Sequence, residues 1–242
     1  MTNPLHTSLK SALKALTPPE LVKSYGRLTR VNGLTLTATG GQFAMGEKYQ
    51  VESVDGHWYD AEVVGFNQDE AYLMPLKKIQ NLYSGGRVRP VIKNNHVAIS
   101  EKLLGRVLDA QMQPIDNLGP LEQDSTKSAS KLGNDYSLTP LERKGVIEPL
   151  DVGIRAINSL FSVGKGQRLG LFAGSGVGKS KLLGMMTRFT SADVVIVSLV
   201  GERGWEVKDF IEQSLGKEGL KKAIVIASPA DDSPLLRIKA AE

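Results

Sequence analysis

The apolar positions of this chain keep different rhythms along its length. Leu5, Leu9, Leu13 and Leu16 recur at helical spacing, with Lys10 and Lys14 elsewhere on the turn, until Pro18-Pro19 stops the pattern. This predicts a short amphipathic helix within residues 1–20. It either packs on its own domain or docks a partner. From Gly26 to Ile92 the apolar runs are short and alternating: Leu34–Thr39, Tyr49–Val54, Trp58–Phe66 and Ala71–Met74 read as strands. Gly40-Gly41, Asp55-Gly56, Asn67-Gln68 and Gly85-Gly86 punctuate them, and Asp55-Gly56 between strand-like flanks is a hairpin signal. The expectation is a small antiparallel β-barrel or sandwich over residues 21–93.

Past residue 93 the pattern lengthens. Leu103–Asp109 reads as ordered, whereas Leu121–Asp135 is polar and reads as an exposed connection. Val152–Phe161 carries Ile154, Ile157, Leu160 and Phe161 at helical spacing. Gln167–Phe172 ends in an apolar run that suits a buried parallel strand. Lys181–Phe189 repeats the helical spacing with Leu182, Leu183, Met185, Met186 and Phe189. Val194–Val200 reads as a second buried strand, Glu206–Leu215 as a helix with Val207, Phe210, Ile211 and Leu215 on one face, and Ala223–Ala227 as a further strand. A β-α-β-α-β order predicts a parallel sheet, so residues 94–242 are expected to form an α/β domain.

Composition narrows this only slightly. The 242 residues are 41% hydrophobic with no long uninterrupted apolar span, which fits a soluble chain of two domains. Lys10 and Lys14 sit before no continuous apolar region or cleavage site, so no signal peptide is read. The net charge of +4 is scattered, and Tyr49, Trp58, Tyr59 and Tyr72 show no interleaving with basic residues. Nucleic acid is therefore not an expected partner, and these aromatics are expected in the core or as a collar around it. The absence of cysteine excludes disulfides and thiolate metal sites and fits a reducing cytoplasm.

The chemistry is concentrated in Ala173-Gly174-Ser175-Gly176-Val177-Gly178-Lys179-Ser180, set between a strand-like and a helix-like run. Glycines at 174, 176 and 178 let successive N–H groups turn into one concavity at the start of a helix, an arrangement that holds phosphate. Lys179 offers an ammonium to β- and γ-phosphate oxygens, and the Ser180 hydroxyl is the right length to ligate Mg²⁺. The bland alternative is a glycine-rich turn with an incidental Gly-Lys-Ser. Hydrolysis also needs a base beside the γ-phosphate. Glu202, just beyond the strand at Val194–Val200, is the candidate, its alternative being a surface glutamate that opens a helix.

Ala173–Ser180, Gly201-Glu202-Arg203-Gly204, Glu206–Phe210 and Ser233–Arg237 together resemble the flagellar type III export ATPases, also called flagellum-specific ATP synthases. Tyr25–Arg30, Leu104–Asp109 and Gly153–Asn158 extend the resemblance over nearly the whole chain. It implies a relative of rotary ATP synthase catalytic subunits, with an N-terminal antiparallel β-barrel followed by a RecA-like P-loop domain and a helical C-terminal domain. It implies ATP and Mg²⁺ as ligands, Lys179 and Ser180 on phosphate and metal, Glu202 as catalytic carboxylate and Arg203 in its network. It also implies a homo-oligomeric, hexameric ring, a regulatory stalk protein docked on the N-terminal helix, and flagellar substrates and chaperones. The location implied is cytoplasmic, peripheral at the membrane export apparatus.

Three positions depart from the pattern: Trp205 where arginine is usual, Val152 where threonine is frequent, and Lys181 where an apolar residue is usual. The sequence ends at Glu242, before the strand with a magnesium-orienting aspartate, the arginine finger and the C-terminal helices, so the α/β domain reads as incomplete and the chain alone as inactive. A nucleotide-binding scaffold without turnover, the ATPase of a related injection apparatus and an RNA-translocating ring motor are the competing readings.

Overall fold

The structure, a computed structural model, describes residues 25–91, 99–121, 139–174 and 176–241. The helix expected within residues 1–20, most of the connection at 121–135, and Ser175 lie outside them. The chain divides into two compact units, Met1–Ile92 and Lys93–Glu242.

The first unit is a closed six-stranded antiparallel barrel. Its strands are β1 (Gly26–Asn32), β2 (Thr35–Thr39), β3 (Lys48–Glu52), β4 (Trp58–Asn67), β5 (Glu70–Pro75) and β6 (Arg87–Pro90), ordered β1-β2-β5-β4-β3-β6. Alternation produces the fill: Leu28, Leu36, Ala38, Val51, Ala61, Val63, Ala71, Leu73 and Val88 point inward and are at most 2% exposed. Asp55-Gly56 makes the expected hairpin, with Glu52 opposite Trp58. The strands that close the barrel, β1 and β6, pair only through Gly26–Val88 and Arg27–Arg87. Neither has an apolar run long enough to announce it.

One expectation about the barrel needs correction. The aromatics do meet basic residues, because β3 pairs with both β6 and β4 and Arg87 and Arg89 reach across it to the start of β4. The Arg89 guanidinium lies 3.9 Å from the Trp58 ring centre, and Arg87 lies 5.6 Å from it and 5.5 Å from the Tyr25 ring. Both cations are already partnered. Arg87 forms a bidentate pair with Glu52, and Arg89 donates to Gln50 Oε1. Tyr49 is a core residue whose hydroxyl donates to the Gln42 carbonyl, which accords with the core reading.

The second unit holds a three-stranded parallel sheet ordered β7-β9-β8, from Val107–Asp109, Ala223–Ser228 and Val195–Val200. Its helices are α1 (Arg155–Leu160), α2 (Lys179–Phe189), α3 (Gly204–Asp209), α4 (Gly216–Lys221) and α5 (Pro234–Lys239), with a π-helical stretch, Phe210–Leu215, joining α3 to α4. Val207, Phe210 and Leu215 are buried on one face of that run and pack with Val197, Leu199, Val225 and Ala227. Ser233 caps α5 by accepting from the Leu236 N–H, with Pro234 at the first helical position.

Three expectations are not met here, two of them because a strand lacks a pairing neighbour among the described residues. Residues 168–172 form no strand, and Leu169, Leu171 and Phe172 are 54%, 43% and 94% exposed. A strand exists only where another strand pairs with it, and none of the described strands reaches this segment. Val195–Val200 is therefore an edge strand: it buries Val197 and Leu199 but leaves Ile196 67% exposed. The helix expected over Val152–Phe161 shortens to Arg155–Leu160 and buries none of its residues, Leu160 standing 76% exposed.

A charge pair ties β7 into this unit. Arg106 Nε donates to Asp116 Oδ2 at 2.7 Å, and Asp116 also accepts the N–H groups of Val107 and Leu118, each at 3.0 Å. The Arg106 hydrogen bond, with those two N–H groups, holds the Asp116 carboxyl near 2 against its usual 3.8. A carboxylate pKa depressed on folding supplies stability that is complete above the unfolded value and disappears as pH falls through the folded one. The second unit is thus expected to lose stability between about pH 4 and pH 2. Asp116→Asn should be less stable at neutral pH and show a flatter acid limb in circular dichroism titrations. An acid limb as steep as the wild type's would reject the pair as its source.

Candidate functional site

The phosphate loop is shaped by left-handed glycines. Gly176 has φ 78° and Gly178 φ 97°, values that residues with a Cβ rarely adopt, and Gly178 caps α2 at its N-terminus. Nothing lies within 4 Å of a Cβ placed on Gly174, Gly176 or Gly178, so the turn has open space beside these positions. Lys179 and Ser180 are the first two residues of α2, an 11-residue helix whose unpaired N–H groups face that opening. Ala173, Gly174 and Val177 are exposed beside it.

The helix is set down by its smallest residue. Gly184 and Thr187 are its only buried positions. A Cβ on Gly184 would lie 2.6 Å from Ser214 Cβ and 2.8 Å from the Ser214 carbonyl carbon and oxygen, so here the backbones of α2 and the π-helical stretch touch. The apolar stripe that predicts the helix is instead partly open, with Leu183, Met185 and Phe189 at 40%, 42% and 53% exposure.

Opposite α2, the chain leaving β8 turns at Gly201-Glu202-Arg203. It is pinned there by the Gly201 N–H to the Ser228 carbonyl at 2.8 Å and the Ala230 N–H to the Glu202 carbonyl at 3.0 Å. This places Glu202 Oε1 3.6 Å from Lys179 Nζ. A cleft of ≈ 280 Å³ lies between the two elements, lined by Lys179, Ser180 and Glu202, with Leu171, Leu183, Glu206 and Phe210 among its walls. Strand order thus puts polar groups at the carboxyl end of a parallel strand, where open α/β sheets build sites.

Of the residues singled out by sequence, Lys179, Ser180 and Glu202 converge, the glycines form the adjoining turn, and Ser175 is outside the described residues. Arg203 is exposed and does not line the cleft; its N–H points to Glu206 Oε2 at 3.4 Å. Glu206 was not foreseen. Its position four residues after Glu202 at a helix start was the available signal. Among the described residues no cluster of three or more His, Asp or Glu side chains could hold a metal by itself. The chemistry of the donors fits a cation that arrives with phosphate and takes one hydroxyl from the protein, as Mg²⁺ does.

An open phosphate turn at a helix start, faced by a carboxylate across a parallel sheet edge, defines a P-loop nucleotide-binding fold. Residues 153–242 match the ATP synthase alpha/beta family, nucleotide-binding domain. Over nearly its whole length the chain is similar to flagellum-specific ATP synthases, as its motifs imply. It is 46% identical to that of Pseudomonas aeruginosa over 237 residues, which is 97% of this chain and 52% of the relative, and 47% identical to that of Salmonella typhimurium over 232 residues. Among solved structures it is similar to the assembled ATPase EscN of the enteropathogenic Escherichia coli type III secretion system. The TM-score is 0.70 at 32% identity, covering 89% of this chain and 51% of EscN. A second match is EscN in complex with its central stalk EscO, with the same TM-score. The chain spans about half the length of the relatives it matches.

Proposed function

We propose that this chain carries the barrel and phosphate-loop portion of an ATPase that energises type III export of flagellar proteins. The observation that carries the reading is the approach of Glu202 to Lys179 across the cleft. The turn at 176–178 directs backbone N–H groups at phosphate, Lys179 balances charge on the β- and γ-phosphate oxygens, and Glu202 accepts the proton of the attacking water. Ser180 gives its hydroxyl to Mg²⁺, which when bound neutralises phosphate charge. Arg203 and Glu206 hold the turn that carries Glu202.

The partners follow as part of the same proposal: a homo-oligomeric ring, a stalk protein on the N-terminal segment, and export substrates at the cytoplasmic face of a membrane apparatus. EscN, solved as an assembly and with a stalk, supports the first two. Greater identity to flagellar relatives than to EscN supports flagellar rather than injection substrates. Among the described residues no helix is long and apolar enough to cross a membrane.

Lys179→Ala is expected to weaken MgATP binding by about tenfold or more, since an ammonium is lost from a charge-assisted contact with phosphate. Titration calorimetry on wild type and variant measures it, and equal affinities would reject the site. ATP hydrolysis by a chimera continuing into the rest of the Pseudomonas aeruginosa relative would separate an ATPase from a nucleotide-binding scaffold.

A further inference from the structure

In the described structure the two groups assigned to opposite sides of the reaction already hold one another. Lys179 Nζ and Glu202 Oε1 are 3.6 Å apart, with side chains 46% and 35% exposed. Among the described residues neither side chain makes another hydrogen bond or ion pair. Lys179 is held at the start of α2 and Glu202 on a turn pinned at Gly201 and by its own carbonyl. The pair therefore bridges two backbone anchors rather than two mobile arms.

We infer that Glu202 has a second role, as a latch that occupies Lys179 until a phosphate chain displaces it. The inference rests on the proposed phosphate site. Its consequence is selective: a ligand whose phosphates reach Lys179 must first break the ion pair, whereas one ending at the α-phosphate need not. The latch thus raises the threshold for di- and triphosphates and leaves a monophosphate untouched. Glu202 then exchanges one partner for another, the Lys179 ammonium before nucleotide binds and water afterwards. An exposed ion pair is worth a small factor, so releasing it should strengthen binding by about two- to fivefold.

The experiment is a double-mutant cycle in the 242-residue chain, with Glu202→Gln, Lys179→Met and the double variant, titrated with MgATP, MgADP and AMP. Circular dichroism confirms that each variant is folded. Glu202→Gln is expected to bind MgATP and MgADP about two- to fivefold more tightly than wild type, with AMP unchanged. In the Lys179→Met background the same substitution should change nothing, because there is no ammonium left to release. If Glu202→Gln tightens binding equally in both backgrounds, the carboxylate acts by simple repulsion of phosphate and the latch is wrong. Unchanged or weaker MgATP binding by Glu202→Gln also overturns it, while leaving the nucleotide site intact. Failure of the wild type to bind MgATP removes the site and the latch together.

Discussion

Glu202→Gln, introduced into residues 1–242 continued by the remaining length of the Pseudomonas aeruginosa relative, is expected to lower steady-state ATP hydrolysis by about a hundredfold or more. The amide keeps the size of the carboxylate and its place on the turn after β8, but it cannot take a proton from water at neutral pH. Lys179 and the glycine turn are untouched, so MgATP should bind at least as tightly as to the parent. Loss of turnover with retained binding is the signature of a group needed in the transition state rather than in the ground state. Phosphate release under saturating MgATP, with affinity measured separately, gives both readings. Undiminished turnover would move the role of base to another carboxylate, and Glu206 on the same cleft would be the first to test.

Gly184→Val is expected to have the largest effect on folding. The added Cβ would stand 2.6–2.8 Å from Ser214 atoms that include the backbone carbonyl, and backbone cannot swing aside as a long side chain can. Overpacking of this kind costs about 3 kcal/mol at the upper part of its usual range, which in a unit of this size lowers the melting temperature by roughly 10 °C. The displacement also acts on the site. Moving α2 away from the Phe210–Leu215 stretch separates Lys179 from the helix that follows Glu202, so surviving folded protein should bind nucleotide poorly. Thermal unfolding of Gly184→Val beside Gly174→Ala, which meets nothing within 4 Å, isolates the contact. Equal melting temperatures would show that α2 can shift without penalty.

Much of this arrangement was legible in the residues because it is local. Glycine spacing, the helical stripes read at Lys181–Phe189 and Glu206–Leu215, the alternating barrel strands and the position of Glu202 at a strand end all follow from periods and turn chemistry within a few residues. What escaped depends on partners distant in sequence. Arg87 and Arg89 look scattered until antiparallel pairing sets them beside Trp58. The apolar run at 168–172 has the composition of a buried strand, but composition does not supply a neighbour. Gly184 carries no signal of its own in the helical stripe, yet it is the place where the helix touches another backbone. The π-helical stretch has no sequence period of its own and appears only where Ser214 and Leu215 pack inward.

The segment 168–172 leads directly into the phosphate turn, so that turn is anchored by α2 on one side and by an unpaired stretch of chain on the other. Whatever fixes the free side also prepares the turn for phosphate, and whatever phosphate orders becomes easier to pair. The two events are reciprocal effectors: a strand that raises nucleotide affinity by some factor has its own affinity raised by the same factor when nucleotide is bound. Amide hydrogen exchange at Leu169–Phe172 would read this exchange of influence directly. Protection there should rise with MgATP even though no ligand atom need touch those residues.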